Sequence, residues 1–416
     1  MNETIKHRIE QIKRGEVPTG YKKSKLGVLP GDWTSMTVGE CLEKVEKPVA
    51  VEPDKLYTQI GIRSHGKGLF YKEPVSGESL GNKSVFWVEP DCFVLNIVFA
   101  WEQAIGKTTE NEIGMIGSHR FPMFRPIDNR VYIDYLISYL LTKRGTDILE
   151  FASPGGAGRN RTLGQDRFLN SKIILPTIDE QKKIAEILAT QDKVIALKEK
   201  LLQEKKTQKK YLMQQLLTGK KRLPGFTDRY FAQKMKTIIR ETSFRSNDGI
   251  NRNVMSVSNV KGFVSQTEQF DKIVASNDTS NYKIVKYGTF AYNPSRINVG
   301  SLALYKGNQE IIVSPMYSTF IALGNINMDY LLYWFKSFGF TSQLKKYLSG
   351  SVRNSLSISD LLLFDIRLPY IEEQNAIVEV LSNADKEISI IQKSIDQEKQ
   401  KKKALMQLLL TGIVRV

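Results

Sequence analysis

Two stretches of this sequence carry apolar residues alternately four and three positions apart, the spacing of a helix that seats one seam against another helix. The first seam runs Ile184, Leu188, Gln191, Ile195, Lys198, Leu202, Lys205, Lys209, Leu212, Leu216. The second runs Ile377, Leu381, Ala384, Ile388, Ile391, Ile395, Glu398, Lys402, Leu405, Leu409. Pro176 and Pro369 precede the starts, Asp179 and Glu372 place a carboxylate in each first turn, and Gly219 and Gly412 are natural stops. Each segment holds about 39 residues, roughly 58 Å of helix. Both seams turn polar at the same place. Two matching seams predict an antiparallel coiled-coil pair, with a globular part at each end and a pseudo-twofold relation between the halves.

The segments ahead of each long helix read differently. Ser84–Val88, Cys92–Val98, Thr289–Asn293, Ser301–Tyr305 and Glu310–Val313 are short and rich in β-branched and aromatic residues, which predicts strands. Ile133–Thr142 and Met328–Phe335 predict helices. The expected class is α+β. Two α+β domains, residues 31–175 and 223–368, alternate with long helices over 176–222 and 369–416, after an N-terminal helical segment, 1–30.

The plan is a duplication. Residues 175–219 align with 368–412 without a gap at an offset of 193, and 22 of the 45 positions are identical. The globular parts match loosely: Asp91–Asn96 with Gly288–Asn293, Asp134–Leu136 with Asp329–Leu331, and Arg159-Asn160 with Arg353-Asn354. Closely repeated helices beside diverged domains imply shared mechanics with separate readouts. Ile9–Gly15 is similar in character to Met213–Gly219. That similarity predicts a helix end ahead of the first domain and chain ends that meet in space; a frayed N-terminal helix is the alternative.

With 41% hydrophobic and 10% aromatic residues, the chain can pack cores rather than stay disordered. Its net charge of +16 and pI near 9.5 favour a polyanion, since Lys and Arg on phosphates release counterions. Two cysteines, Cys41 and Cys92, fit a reducing cytoplasm, and no stretch is long and apolar enough to span a membrane. Gly-bearing loops mix Arg, Asn and His, which suit close backbone approach and contacts to base edges. The expected DNA-facing residues of the first half are Arg63, His65, Lys67, Lys107, His119, Arg120, Arg159, Asn160 and Arg161. Those of the second are Arg245, Asn251, Arg252, Asn293, Arg296, Asn298, Arg353 and Asn354. Lys205, Lys206, Lys209 and Lys210 are a further phosphate candidate, or a solvated helix face.

No catalytic constellation stands out. Gly106-Lys107-Thr108 begins like a phosphate loop, but Trp101 stands where its first glycine belongs. Asn293-Pro294-Ser295-Arg296 lacks the second proline and aromatic of an amino-methyltransferase tetrad, and Pro90-Asp91 has no acidic-x-Lys after it. His7, His65, His119 and two distant cysteines make a poor zinc set, so no metal site is expected.

Leu175-Pro-Thr-Ile-Asp-Glu-Gln181 and Leu368-Pro-Tyr-Ile-Glu-Glu-Gln374 open the long helices, and Leu212–Gly219 and Leu405–Gly412 close them. With the Arg-Asn loops and Leu29-Pro-Gly-Asp-Trp33, they resemble the specificity subunit of type I restriction–modification systems over nearly the whole chain. The second domain departs, starting Leu223-Pro-Gly-Phe226 with no Trp. The resemblance implies two target-recognition domains, each reading half of a split double-stranded DNA target in the major groove. It implies a spacer set by the long helices. It further implies docking of two methyltransferase (modification) subunits on those helices, around Gln181, Ile184, Leu188, Leu212, Gln374, Ile377, Leu381 and Leu405. S-adenosylmethionine would belong to those subunits and methylate adenine N6 after base flipping; no cofactor is expected in this chain. Two motor–nuclease (restriction) subunits would join for restriction. The competing readings are a DNA-binding scaffold without a methyltransferase, and a nuclease or methyltransferase in its own right.

Overall fold

The computed structural model describes residues 3–24, 27–155, 161–248, 250–259, 261–265, 278–349 and 355–416. Its main helices are α1 (Glu3–Lys13), α2 (Ile133–Leu140), α3 (Lys143–Ala152), α4 (Ile178–Leu217), α5 (Met328–Phe335), α6 (Phe338–Ser349) and α7 (Ile371–Leu409). The chain forms two compact units: Met1–Lys198 with Ser394–Val416, and Glu199–Lys393. Each therefore holds one globular part, the stretch of long helix next to it and a stretch of the other long helix.

Unit 1 centres on a four-stranded antiparallel sheet ordered Ile105–Lys107, Phe93–Leu95, Met123–Pro126, Leu42–Val45. Unit 2 repeats that order as Leu302–Leu304, Thr289–Tyr292, Ser318–Ala322, Ile239–Glu241. A two-stranded ladder leads into each long helix, Thr34–Thr37 with Lys172–Leu175 and Phe231–Lys234 with Asp365–Leu368. The cores correspond as well. Phe93, Leu95 and Phe124 pack with Tyr135, Leu136, Ile184, Leu188 and Leu409. Phe290, Tyr292 and Phe320 pack with Tyr330, Leu331, Ile377, Leu381 and Leu216. The expected α+β class holds, and Met328–Phe335 is the helix that the sequence predicted.

What differs lies outside this shared sheet. Unit 1 adds two-stranded ladders, among them Ile60–Ile62 with Leu69–Tyr71 and Val85–Trp87 with Ile116–Ser118. Unit 2 adds a four-stranded sheet in which Asn253–Ser258 runs parallel to Ile311–Val313. The first thirty residues are less helical than expected: after α1, Tyr21–Ser24 pairs antiparallel with Gly27–Pro30. The chain ends do meet. Arg8 donates to the Ile413 carbonyl (2.7 Å) and Tyr21 to that of Gly412 (2.7 Å).

The seams pair antiparallel within each unit, and their polar positions pair with each other. In unit 1, Gln191 and Lys198 both reach the Glu398 carboxylate (2.9 and 2.8 Å), and Lys402 reaches Asp192 (2.6 Å). In unit 2, Lys205 meets Glu387 (2.8 Å) and Lys209 meets Asp385 (2.5 Å). Lys205 and Lys209 are therefore interhelical partners, not a phosphate face. A polar residue in an apolar seam costs stability but specifies register, because a slip leaves it unpaired.

The repeated Glu-Gln pair does two jobs. Gln181 accepts from the Tyr132 amide (2.8 Å) just ahead of α2 and donates to the Arg130 and Pro176 carbonyls. Gln374 likewise accepts from the Asn327 amide (3.0 Å) ahead of α5 and donates to the Pro369 carbonyl. Glu180, 4% exposed, takes a forked contact from Arg415 (2.6 and 2.8 Å) and the Trp33 indole N–H (3.1 Å); Arg415 also holds Asp32. Glu373, 2% exposed, takes the same fork from Arg222. Arg222 and Arg415 share the 193-residue offset. Where unit 1 sets Trp33 against the left-handed Gly412, unit 2 sets Tyr230 against the left-handed Gly219. Tyr230 thus stands in for the tryptophan that the second domain lacks.

Removing either arginine leaves a buried carboxylate uncompensated. Arg415→Ala and Arg222→Ala should each cost about 2 kcal/mol, with Lys restoring only part because it cannot make the fork. Denaturant titration reads the loss. Hydrogen exchange should quicken in unit 1 for the first variant and in unit 2 for the second.

Candidate nucleic-acid interface

The turn that follows the second strand of the shared sheet gathers most of the candidate residues. In unit 1 that turn is 96–103. The side chain of Asn96 accepts from the Val98 amide (3.0 Å) and shapes its start. The Ile97 amide donates to the Arg120 carbonyl (3.0 Å), and the Ile97 carbonyl accepts from Leu163 (2.8 Å). His119-Arg120 and Arg161-Leu163 are thereby tied to one residue. The Arg161 guanidinium lies 5.3 Å over the Trp101 ring. The loop carrying Arg63, His65 and Lys67 is fixed to the same turn, with His65 donating to the Glu102 carbonyl (2.8 Å) and Gly66 to that of Gln103 (2.9 Å). His65 holds a left-handed φ of 62° there, an unusual backbone for a non-glycine residue. His65, Lys67, His119 and Arg120 are exposed. A cleft of about 240 Å³ beside His119 adds Lys44, Glu46 and Gln165, which sequence reasoning missed because they lie on segments with no loop signature.

Unit 2 repeats the construction. Asn293 accepts from the Ser295 amide (3.1 Å), and the Pro294 carbonyl accepts from Leu356 (3.0 Å), as Ile97 does from Leu163. Arg296 and Asn298 sit exposed on this turn. Arg159, Asn160, Arg353 and Asn354 lie outside the described residues.

Several expected DNA contacts are spent inside the fold. Lys107 is held by Asp134 (3.2 Å) and Asp91 (3.6 Å), as Lys306 is by Asp329 in unit 2. Asn293 is buried and caps its own turn. The Arg252 side chain is 6% exposed, between Asp248 (2.7 Å) and Glu310 (2.8 Å). Hydrogen bonds from its guanidinium lower the Asp248 carboxyl pKa to about 2. Arg63, which donates to the Leu69 carbonyl (2.5 Å) and lies over the Phe70 ring, and Arg245, which donates to the Asn281 carbonyl (2.5 Å), are not spent in this way and stay exposed. Asn251 is exposed but stands at the far end of strand Asn253–Ser258 from Val257, which accepts from Ser301 beside the turn.

The docking set needs a larger correction. Gln181, Ile184, Leu188, Gln374, Ile377 and Leu381 are buried in their own units, and Leu212 and Leu405 pack against those cores. The six buried side chains hold this chain together and have no surface to offer a partner, while Leu212 and Leu405 stay half-buried. Among the described residues, no group of three or more His, Cys, Asp or Glu is placed to hold a metal, and no helix is long and apolar enough to cross a membrane.

Two units of one design, each with polar and cationic loops around an Asn-capped turn, define a duplicated DNA-recognition protein. The family profile described as "Type I restriction modification DNA specificity domain" matches residues 85–206 and 231–399, once in each half, and the chain belongs to that family. It is 24% identical to the type I restriction enzyme MjaVIII specificity subunit of Methanocaldococcus jannaschii, over 93% of this chain and 94% of that protein. It is equally 24% identical to the putative MjaX specificity subunit of the same organism, over 95% and 97%. In fold it is similar to the HsdS subunit from Thermoanaerobacter tengcongensis, with a TM-score of 0.53 at 17% identity, covering 93% of this chain and 98% of that one. The resemblance carried by the Leu-Pro-x-x-x-Glu-Gln starts is borne out.

The geometry separates contact residues from framework residues. Arg161→Ala and Arg296→Ala should each weaken duplex binding by about 1–3 kcal/mol and leave unfolding unchanged. Arg252→Ala should do the reverse. Because the folded pKa of Asp248 lies below its ordinary 3.8, the stabilisation from its pair is complete above that value and is lost as pH falls toward about 2. Filter binding beside pH-dependent unfolding tests both statements.

Proposed function

We propose that this chain is the non-catalytic, sequence-recognising subunit of a type I restriction–modification complex. The observation that carries the reading is one frame built twice, bearing a different outer layer in each unit. Equal frames suit docking of equal partners; unequal layers suit reading of unequal half-sites. Each unit reads half of a split DNA target, with Lys67, Arg120 and Arg161, on the segments tied to the 96–103 turn, and Arg296, on the 294–299 turn, at the duplex. The long helices, their register fixed by polar layers, set the spacer. Two methyltransferase subunits bring S-adenosylmethionine and methylate adenine N6 on a flipped base. Two motor–nuclease subunits join for restriction. The chain itself supplies specificity and no bond chemistry, and acts in the cytoplasm.

Deleting the gene should abolish N6-methyladenine at one split motif across the genome, and the intact gene should restore it. A methylome unchanged by deletion overturns the proposal.

A further inference from the structure

Each Asn-capped turn ends on a residue in the left-handed region, Gln103 (φ 59°) in unit 1 and Gly300 (φ 87°) in unit 2, at an offset of 197. In both units a hairpin tip packs against that end. The unit 1 hairpin pairs Ile60–Ile62 with Leu69–Tyr71, and its Gly66 amide donates to the Gln103 carbonyl (2.9 Å). The unit 2 hairpin pairs Asn253–Ser258 with Gly262–Ser265. A side-chain carbon placed on Gly300 would lie 3.8 Å from the Cβ of Asn259, at the tip of that hairpin. The two tips also bend alike. Lys67 is followed by Gly68 (φ 72°) and Lys261 by Gly262 (φ 73°), a backbone that a residue without a Cβ takes freely. Gly68 lies against Gly106 and Gly262 against Ala303, and those two positions share the 197-residue offset on equivalent edge strands. The added layers differ in their sheets, yet each brings one hairpin tip to the same place.

On this correspondence Asn259 and Lys261 stand in unit 2 where His65 and Lys67 stand in unit 1. The unit 2 tip is braced from behind. Val257 and Phe263 pack with Ala303 and Tyr305, and the Phe263 and Tyr305 rings meet edge to face at 5.2 Å. The Ser301 hydroxyl donates to the Val257 carbonyl (3.2 Å), and the Lys261 amide donates to the Ser258 hydroxyl (3.3 Å), which closes the tip. Asn259 and Lys261 are both exposed, at the end of the turn that carries Arg296 and Asn298, and Lys261 makes no ion pair among the described residues. A polar side chain on a braced tip loses little freedom on binding, which suits a contact that must discriminate. An amide offers one donor and one acceptor side by side, the complement of adenine N7 and N6 in the major groove. An unpaired lysine two residues on suits a phosphate.

We infer that Asn259 reads an adenine in the half-site of unit 2, with Lys261 on a neighbouring phosphate. The inference rests on the function proposed above and adds which side chain reads and which base it reads.

The test uses the full chain in complex with the methyltransferase subunit of its own system. The mapped duplex competes against duplexes changed at one base pair at a time. Asn259→Ala should reduce the preference for one A·T pair by at least about fivefold, in the half-site that Arg296→Ala also affects. The other half-site should be read as by the wild type. Asn259→Asp keeps the side chain's size but removes the donor to N7, so it should lose the same preference and carries the test should the first variant misfold. Lys261→Ala should weaken all duplexes alike and lower the salt slope by about one. Asn251→Ala, at the other end of the strand, should bind as the wild type does. Discrimination kept at every position in both Asn259 variants overturns the inference and leaves the proposed function standing. So does discrimination lost at a G·C pair or in the other half-site. A wild-type complex with no preference for a split motif overturns the proposed function and this inference together.

Discussion

Each unit depends on one buried carboxylate in the first turn of a long helix. Glu180 and Glu373 carry a charge where a carboxylate has almost no water, and each is matched by a guanidinium from the segment that follows the other long helix. The neighbouring Gln ties the same turn to the start of a domain helix. One helical turn thus joins three pieces of chain that are far apart in sequence. A charge so placed is costly when alone, which makes the arrangement strongly selective for the paired state. It also explains why the Glu-Gln dipeptide, of all the repeated residues, opens both helices.

On this frame the two units can differ freely. The shared sheet, its ladder and the helix pair repeat in order and pairing, while the added strands do not. The candidate DNA-facing turns emerge from the shared sheet and are framed by the unshared layer. That division puts repeated geometry under a surface that differs between the units, an arrangement suited to reading two different sequences with one mechanical design.

The sequence made the helices legible because a seam repeats every three or four residues for about nine turns. It showed that Ile184, Leu188, Ile377 and Leu381 face something apolar. It could not show that the neighbour was the chain's own sheet, since periodicity records burial and not the partner. Two of the cationic candidates, Lys107 and Arg252, are held inside the fold for a related reason. Lys107 and Arg252 look like Arg161 and Lys67 in a loop; only the fold brings Asp134, or Asp248 with Glu310, against them. Arg222 and Arg415 lay just beyond the aligned repeats at the same offset, a signal that was present and unread.

The central claim is that two independent readers share one frame. A chimera carrying residues 34–175 in place of residues 231–368 tests it, since those segments begin and end on equivalent strands. Methylome sequencing of cells with the chimera should find the half-site read by unit 1 unchanged and the other half replaced by its inverted copy. A folded chimera that alters both halves, or neither, contradicts the account.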